Sequence, residues 1–183
     1  VNGEFITTQL CNTNANPSPY TVPDGKTLYI TSAQSDYIIY IEDDFGINTP
    51  IVSQPNNSGG LYGSHTLHNP ILVGEAKTVS GCSENDNKTV INGFLVENSQ
   101  VTPITRNGPT SPPFSVPLGK QLIITNSYNG HLNIDGMLID EAAGGDYTLG
   151  NPILVNSEQA IGSSAFNGYL VDEDYFANCG GGS

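Results

Sequence analysis

Two short acidic runs are the residues of this chain best suited to bind a metal ion. EDD at 42–44 follows the apolar segment YIIYI, and DED at 172–174 follows NGYLV. Calcium takes about six to eight oxygen ligands, and carboxylates at strand ends beside loop carbonyls are a common source of them. The alternative is a solvated acidic rim that keeps strand edges from associating. The candidate calcium ligands are Glu42, Asp43, Asp44, Asp172 and Asp174.

Tyrosines with Asn and Asp neighbours are candidates for a carbohydrate site. An aromatic ring can stack on a sugar while amide and carboxylate groups bond its hydroxyls. The chain has nine tyrosines and no tryptophan, so any such stacking falls to tyrosine or phenylalanine. The tyrosines in or near the predicted loops are Tyr37, Tyr40, Tyr62, Tyr128 and Tyr147.

The sequence carries no set of residues typical of an enzyme. His65 and His68 lie three positions apart, which places them on opposite faces of an extended segment. There is no Gly-x-Ser-x-Gly nucleophile motif and no glycine-rich phosphate loop between a strand and a helix. We therefore predict that the protein is not an enzyme and requires no cofactor, with calcium as the one ion that the acidic runs could bind.

The charge of the chain limits the kinds of partner that it could bind. Acidic residues outnumber basic ones 18 to 5, giving a formal net charge of −13, and the basic residues are scattered. Phosphate binding needs clustered Lys and Arg, so nucleic acids and anionic membranes are poor partners. No apolar run reaches the roughly 18 residues of a membrane span, so no membrane insertion is expected.

Charged residues make up only 13 % of the chain, against about 25 % on average. This composition is typical of secreted β-proteins, and we expect an extracellular or cell-surface protein whose mature, processed chain begins at Val1.

The three cysteines allow one disulfide and one spare thiol. We predict a Cys11–Cys82 bridge between the N-terminal arm and a loop, with Cys179 free or bonded to another chain. The alternative is three unpaired cysteines. Asn56 and Asn87 each begin an N-glycosylation sequon, which matters only if the host is a eukaryotic secretory cell.

Three sequence landmarks occur twice in the same order, which indicates an internal duplication. VPDGKTLYIT recurs as VPLGKQLIIT, NPILV recurs unchanged, and NGFLVE recurs as NGYLVD. The copies differ in the lengths of the segments between landmarks, as expected where packing constrains strands and loops vary. The predicted organisation is an N-terminal arm (1–19), a first repeat (20–98), a Pro-rich linker (99–113), a second repeat (114–176) and a Gly-rich tail (177–183).

Alternation of apolar and polar residues predicts short strands throughout. In KTLYIT, Leu28 and Ile30 point to one face, and the preceding Pro-x-Gly-Lys is typical of a tight turn. The Asn-Gly pairs before FLV and YLV predict a turn or a bulge. The segments 47–67 and 141–150 are interpreted as loops, and no segment has a helical period. The sequence therefore predicts an all-β chain of two tandem jelly-roll-type β-sandwich domains related by internal duplication.

These landmarks also resemble a known class of domain. Pro-x-Gly-Lys-x-Leu-x-Ile-Thr, followed by an Asn-Pro strand and by Asn-Gly-aromatic-Leu-Val, is similar to the small, cupin-like jelly-roll modules of bacterial and phage surface proteins. The resemblance covers most of both repeats. It implies a jelly-roll fold and supplies no catalytic residues.

The leading hypothesis is a non-enzymatic extracellular structural or interaction protein: a subunit of an appendage or filament, or an adhesin module. Its main partner would be a second copy of itself, and the N-terminal arm could add a strand to its own sandwich or to a neighbour's. One alternative is a carbohydrate-binding module for surface glycans, which calcium could assist. Another is a structural protein of a virion, in a capsid or fibre.

Overall fold

The computed structural model describes residues 3–11, 17–35, 39–52, 63–81, 89–97, 100–108, 111–162 and 165–176. These residues form strands and turns and contain no helix. Eight strands make up unit 1: β1 (Gly3–Gln9), β2 (Tyr20–Thr21), β3 (Lys26–Ser35), β4 (Ile39–Glu42), β5 (Asn48–Val52), β6 (Gly63–Val73), β7 (Thr78–Ser80) and β8 (Val90–Glu97). Six make up unit 2: β9 (Thr102–Arg106), β10 (Phe114–Ser115), β11 (Lys120–Ile134), β12 (Met137–Val155), β13 (Ala160–Gly162) and β14 (Ala165–Asp172).

Unit 1 is a sandwich of two four-stranded antiparallel sheets. The strand orders are β1-β8-β3-β6 and β2-β7-β4-β5. The first strand thus pairs with the eighth, the second with the seventh, the third with the sixth and the fourth with the fifth. This nested order is consistent with the jelly-roll expectation, in which a long hairpin is wound into two layers.

Unit 2 repeats this arrangement with two longer strands. The first part of β11 pairs with β14, as β3 pairs with β8, and its last residues pair with β13, as β4 pairs with β7. The strand β12 likewise covers the positions of both β5 and β6. Leu122 lies opposite Leu170 as Leu28 lies opposite Leu95, so the duplication extends to the register.

Each unit begins with a strand that the sequence interpretation placed outside the repeats. The strand β1, inside the predicted arm 1–19, pairs with β8 of its own unit along its whole length. The strand β9, inside the predicted linker 99–113, pairs with β14 in the equivalent way. The boundaries predicted at 20 and 114 therefore omit the first strand of each sandwich. A short strand paired at a sheet edge carries little periodicity of its own, and its partner lies far along the chain.

The apolar alternation of each repeat builds a separate core. Leu28 and Ile30 of unit 1 are fully buried, as are Leu122 and Ile124 of unit 2. Each buried aliphatic side chain contributes about 1.5–3 kcal/mol relative to an exposed one. The predicted inward face of this strand is thus confirmed in both units.

The Pro-x-Gly-Lys turns are confirmed, and the structure explains their shared lysines. The N–H of Lys26 donates to the carbonyl of Pro23 at 3.2 Å, and Gly25 has φ = +71°, which favours glycine. The cross-strand partner of Lys26 is Glu97, and that of Lys120 is Asp172. The lysine Nζ lies 3.9 Å from the Glu97 carboxylate and 2.6 Å from the Asp172 carboxylate. Each unit therefore keeps one lysine–carboxylate pair at the same place in its sheet.

The Asn-Gly pairs do not form turns; they lie inside β8 and β14. A Cβ on Gly93 would lie 2.1 Å from the carbonyl oxygen of Tyr29, and one on Gly168 would lie 2.2 Å from that of Ile123. Glycine is required there because the neighbouring strand is too close for any side chain. The predicted bulge is present on that neighbouring strand, where the register shifts after Ile30 and after Ile124.

Two segments interpreted as loops are wholly or partly strand. Residues 141–150 continue β12 through a glycine-rich stretch, and within 47–67 residues 48–52 form β5 and residues 63–67 begin β6. Glycine and small polar residues carry no strand signal, so these segments are extended because a neighbouring strand pairs with them.

Candidate assembly surfaces

The two units meet where the edge strand β6 of unit 1 lies against unit 2. The contacted surface is the outer face of the sheet formed by β9, β14, β11 and β12, meaning the face turned away from the core of unit 2. Asn167 on this face is fully buried. Its Oδ1 accepts a hydrogen bond from the backbone N–H of Leu72 at 2.9 Å, and its Nδ2 donates to the Leu72 carbonyl at 2.7 Å. One side chain thus satisfies both backbone groups that Leu72 directs off the edge of its sheet.

Alternation along β14 explains why Asn167 faces the junction. Its neighbour Phe166 belongs to the core of unit 2, so Asn167 points to the opposite face. The Nδ2 atom of Asn167 also donates to the hydroxyl of Thr105 at 3.0 Å, which holds the amide in one orientation. Burial raises the pKa of the nearby Tyr169 hydroxyl.

Further contacts extend this junction along β6. Asn126 donates to the Pro70 carbonyl at 3.4 Å, and Asn69 donates to the Thr125 carbonyl at 3.4 Å. The Leu72 side chain is outside both core clusters, yet it is only 1 % exposed. The second copy of NPILV, on β12, and the outer face of β8 are the equivalents of the two surfaces that meet in this junction.

The acidic run 42–44 joins the units through protein donors. Asp43 is fully buried, and its Oδ1 accepts from the backbone N–H of Phe45 at 2.8 Å and of Ile47 at 2.9 Å. Its Oδ2 accepts from the Ser111 hydroxyl of unit 2 at 2.7 Å. Both carboxylate oxygens of Asp43 therefore bond to the chain itself, and they shape the turn after β4.

The adjacent Asp44 faces cations of the protein. Its carboxylate lies 3.5 Å from the Arg106 guanidinium and 3.9 Å from the Lys77 ammonium. The guanidinium also stacks between two rings, 4.8 Å from the centroid of Phe45 and 4.9 Å from that of Phe114. Arg106 of unit 2 is thus held by a ring from each unit and by an acid of unit 1.

The five candidate calcium ligands are not gathered into one site. Asp172 pairs with Lys120, Asp174 is exposed, and Glu42 is partly buried at the end of β4. Within the ranges that the structure covers, no group of three or more His, Cys, Asp or Glu side chains could hold a metal ion. Calcium binding stays a prediction from the sequence.

The candidate sugar-binding tyrosines are also dispersed. Tyr40 and Tyr128 are partly buried on β4 and β11. Tyr147 lies in β12 with its side chain not described, and Tyr37 and Tyr62 are outside the described residues. The carbohydrate role of these tyrosines stays a prediction.

An aromatic surface that the tyrosine survey missed covers the outer face of β1-β8-β3. The rings of Tyr29 and Phe94 stack in parallel with centroids 5.0 Å apart, and Phe5 meets Phe94 edge to face at 6.4 Å. Phe5 is 88 % exposed. Beside these rings, Thr7 donates to Asn92 Oδ1 at 2.8 Å, and Asn92 donates to Ser32 at 3.2 Å. The alternation in β1, with Phe5 and Thr7 on one side, was the only sequence signal for this face.

Exposed apolar side chains also lie at both ends of β12. Its large apolar side chains with more than two fifths of their surface exposed are Met137, Leu138, Ile139 and Leu154. Among the described residues β12 pairs only with β11, so its other backbone edge has no partner strand, although β12 also packs against β6. Exposed apolar edge strands are templates for pairing with another chain.

A groove of about 420 Å³ runs along the junction of the units. Four of the five charged side chains that line it bond within the protein: Lys77 with Asp44, Lys26 with Glu4 and Glu97, and Glu75 with the N–H of Gly25. The fifth, Glu42, is partly buried at the end of β4.

The structure describes only some of the residues that were predicted to form a disulfide or to carry a glycan. Cys11 is fully buried. Cys82 and Cys179 lie outside the described residues, so the Cys11–Cys82 pairing stays a prediction. The sequon residues Asn56 and Asn87 also lie outside them.

Comparison of the chain with protein-family models, with curated proteins and with solved structures gave no match. The resemblance to surface jelly-roll modules therefore stays an expectation. No helix in the part of the chain that the structure describes is long and apolar enough to cross a membrane.

Proposed function

We propose that this chain is a non-enzymatic structural protein that works outside the cell by assembling with copies of itself, as a subunit of a surface appendage or filament. One observation carries the proposal. Phe5 on unit 1 and four residues of β12 on unit 2 account for five of the nine exposed large apolar side chains among the described residues. Exposed apolar side chains on a sheet face and on an edge strand without a partner strand are typical of interaction sites.

Two further features support assembly. The units are joined by buried hydrogen bonds and by Arg106, so a subunit would carry its two surfaces at a defined separation. The net charge of −13 disfavours indiscriminate association. Assembly would then depend on specific matching surfaces. A virion subunit would share these properties, and the genes flanking this one would separate a cellular from a viral origin.

Carbohydrate binding is the second candidate, and the exposed rings of Phe5, Phe94 and Tyr29 favour it. Such a platform could stack on sugar rings while Asn92 and Thr7 bond hydroxyls. A glycan array with and without a calcium chelator tests this candidate. Binding that Phe5→Ala abolishes would support it, and an array without signal would contradict it.

The assembly proposal is tested by sedimentation velocity over a wide range of protein concentration, followed by negative-stain electron microscopy. We expect species larger than one chain whose proportion rises with concentration. A chain that stays monomeric at the highest soluble concentration, with no fibres or rings on the grid, contradicts the proposal.

A further inference from the structure

We infer that one copy joins the next by repeating, between molecules, the contact that its two units make within the molecule. The outer face of β1-β8-β3 in one copy receives the β12 edge of another. Asn92 takes the role of Asn167, and Leu154 takes the role of Leu72. This inference rests on the proposed function, because it names the self-contact that assembly requires.

The strand registers define these equivalences. Asn92 lies opposite Thr7 and Ser32, and Asn167 lies opposite Thr105 and Asn126. On the other surface, Leu72 lies opposite Tyr29, and Leu154 lies opposite Ile123. Because both leucines occur in NPILV, the backbone groups of Leu154 point off the edge of β12 as those of Leu72 point off β6.

Each unit carries a receiving face, which is the outer sheet face around Asn92 or Asn167, and an inserting edge, which is the edge strand with the leucine of NPILV. Within the molecule only one of the two faces and one of the two edges are in contact. The receiving face of unit 2 and the edge of unit 1 bury one another. The face of unit 1 and the edge of unit 2 are left over. Leu72 is 1 % exposed but Leu154 is 56 % exposed.

The leftover face has the groups that the contact needs. The amide of Asn92 bonds to the hydroxyls of Thr7 and Ser32, which can reorient when the amide turns to a new partner. Register places Phe5 where unit 2 has Pro103, which lies beside Gly74 just after β6. Phe5 and Phe94 would cover the exposed Leu154 and remove its apolar surface from water.

This contact is heterologous, because the two surfaces that meet are different. Every copy offers one face and one edge, so copies join head to tail. The repeat closes into a ring or continues as a filament according to the rotation between successive copies. A copy in which one surface is damaged can therefore join a neighbour only through its other surface.

Complementary variants test the inference. Phe5→Lys disables the face and leaves the edge intact, whereas Leu154→Glu disables the edge and leaves the face intact. Both positions are exposed, so the fold should tolerate the changes, and circular dichroism and thermal unfolding check this. Each variant alone should be monomeric in sedimentation velocity. An equimolar mixture should form a dimer and nothing larger, since only one intact face and one intact edge remain to meet.

Leu118→Glu is the matched control, because Leu118 is 80 % exposed on the Pro-x-Gly-Lys turn and belongs to neither surface. It should assemble like the wild type. Asn92→Ala removes the hydrogen bonds to the incoming strand, together with those to Thr7 and Ser32, and should weaken the contact about tenfold.

The possible results distinguish failure of self-assembly from failure of the specific contact between face and edge. A wild type that never assembles contradicts both. A wild type that assembles, with Phe5→Lys and Leu154→Glu assembling equally well, overturns the inference and leaves the function. Monomeric variants that do not combine when mixed show that face and edge are not each other's partners, and also overturn it. Loss of glycan binding in Phe5→Lys with unchanged assembly assigns the face to a sugar instead.

Discussion

The side-chain amide of Asn167 bonds both the N–H and the C=O of Leu72, a residue 95 positions earlier in the chain. The amide makes the two hydrogen bonds that a residue of a neighbouring strand would make with the open edge of β6. An unpaired backbone edge is otherwise a liability in a β-protein. Asn167 of unit 2 therefore makes the β6 edge of unit 1 part of a specific junction between the units.

Replacement of Asn167 by alanine should lower the free energy of unfolding by about 1–3 kcal/mol, because the buried N–H and C=O of Leu72 lose their partner. The measurement is urea denaturation of the dilute monomer. Asn92→Ala is the matched control, since its side chain is only partly buried, and it should cost less than about 0.5 kcal/mol. Equal losses in the two variants would contradict the role assigned to Asn167.

Alanine at Gly168 or Gly93 should destabilise the protein by about 3 kcal/mol or more, beyond the usual cost of overpacking. The added Cβ would lie 2.2 Å or 2.1 Å from a backbone oxygen of the adjacent strand. Differential scanning calorimetry should show a clear fall in Tm. Gly162→Ala has open space around the added Cβ and should leave Tm nearly unchanged. A Gly168→Ala protein as stable as Gly162→Ala would show that the strands are farther apart.

Asp43→Ala should cost about 3 kcal/mol, because three buried or partly buried donors lose a charged acceptor. Ser111→Ala removes only the bond between units and should cost about 1 kcal/mol. Chemical denaturation of both variants gives the comparison. A loss in Ser111→Ala that matches the loss in Asp43→Ala would mean that the turn bonds to Phe45 and Ile47 contribute nothing.

Stability at acid pH should depend on Asp135. The backbone N–H of Ala160 and the side-chain amide of Gln159, each at 2.9 Å, hold the pKa of Asp135 below its ordinary value of 3.8. A carboxylate with a lowered folded pKa stabilises the protein above its unfolded pKa, and this contribution is lost as pH falls through the folded pKa.

Asp135→Asn should therefore be slightly less stable than the wild type at neutral pH, and the difference should shrink as pH falls below about 4. Asparagine suits the positive φ of 50° at this position, so the backbone should not be strained. Thermal unfolding at a series of pH values provides the measurement. A difference that stays constant down to the lowest pH would rule out the carboxylate charge as its cause.

Local chemistry was enough to predict part of this fold. The Pro-x-Gly-Lys turns, the inward Leu28 and Ile30, and the duplication are all visible in the sequence because they depend on neighbouring residues. The Asn-Gly pairs misled because glycine serves there to admit an adjacent backbone, and that backbone is distant in sequence. The strand pairing of the N-terminal arm was expected, but the predicted repeat boundaries left out β1 and β9, and the glycine-rich part of β12 was interpreted as a loop, for the same reason.

The candidate site could be predicted even less well. The acidic run 42–44 looked like a cation site, but its donors Ser111 and Arg106 come from the other unit. The aromatic face was hidden because Phe5, Tyr29 and Phe94 come from three separate strands. Only strand pairing brings such residues together.

The pentapeptide NPILV shows where the sequence stops and the tertiary structure decides. In both copies its residues form a strand with the same side-chain alternation, because alternation is a local property. In unit 1 its leucine is buried against Asn167, whereas in unit 2 the same leucine is exposed. Identical sequences differ in this way because burial depends on which surface of the other unit lies opposite, and only the folded chain places one there.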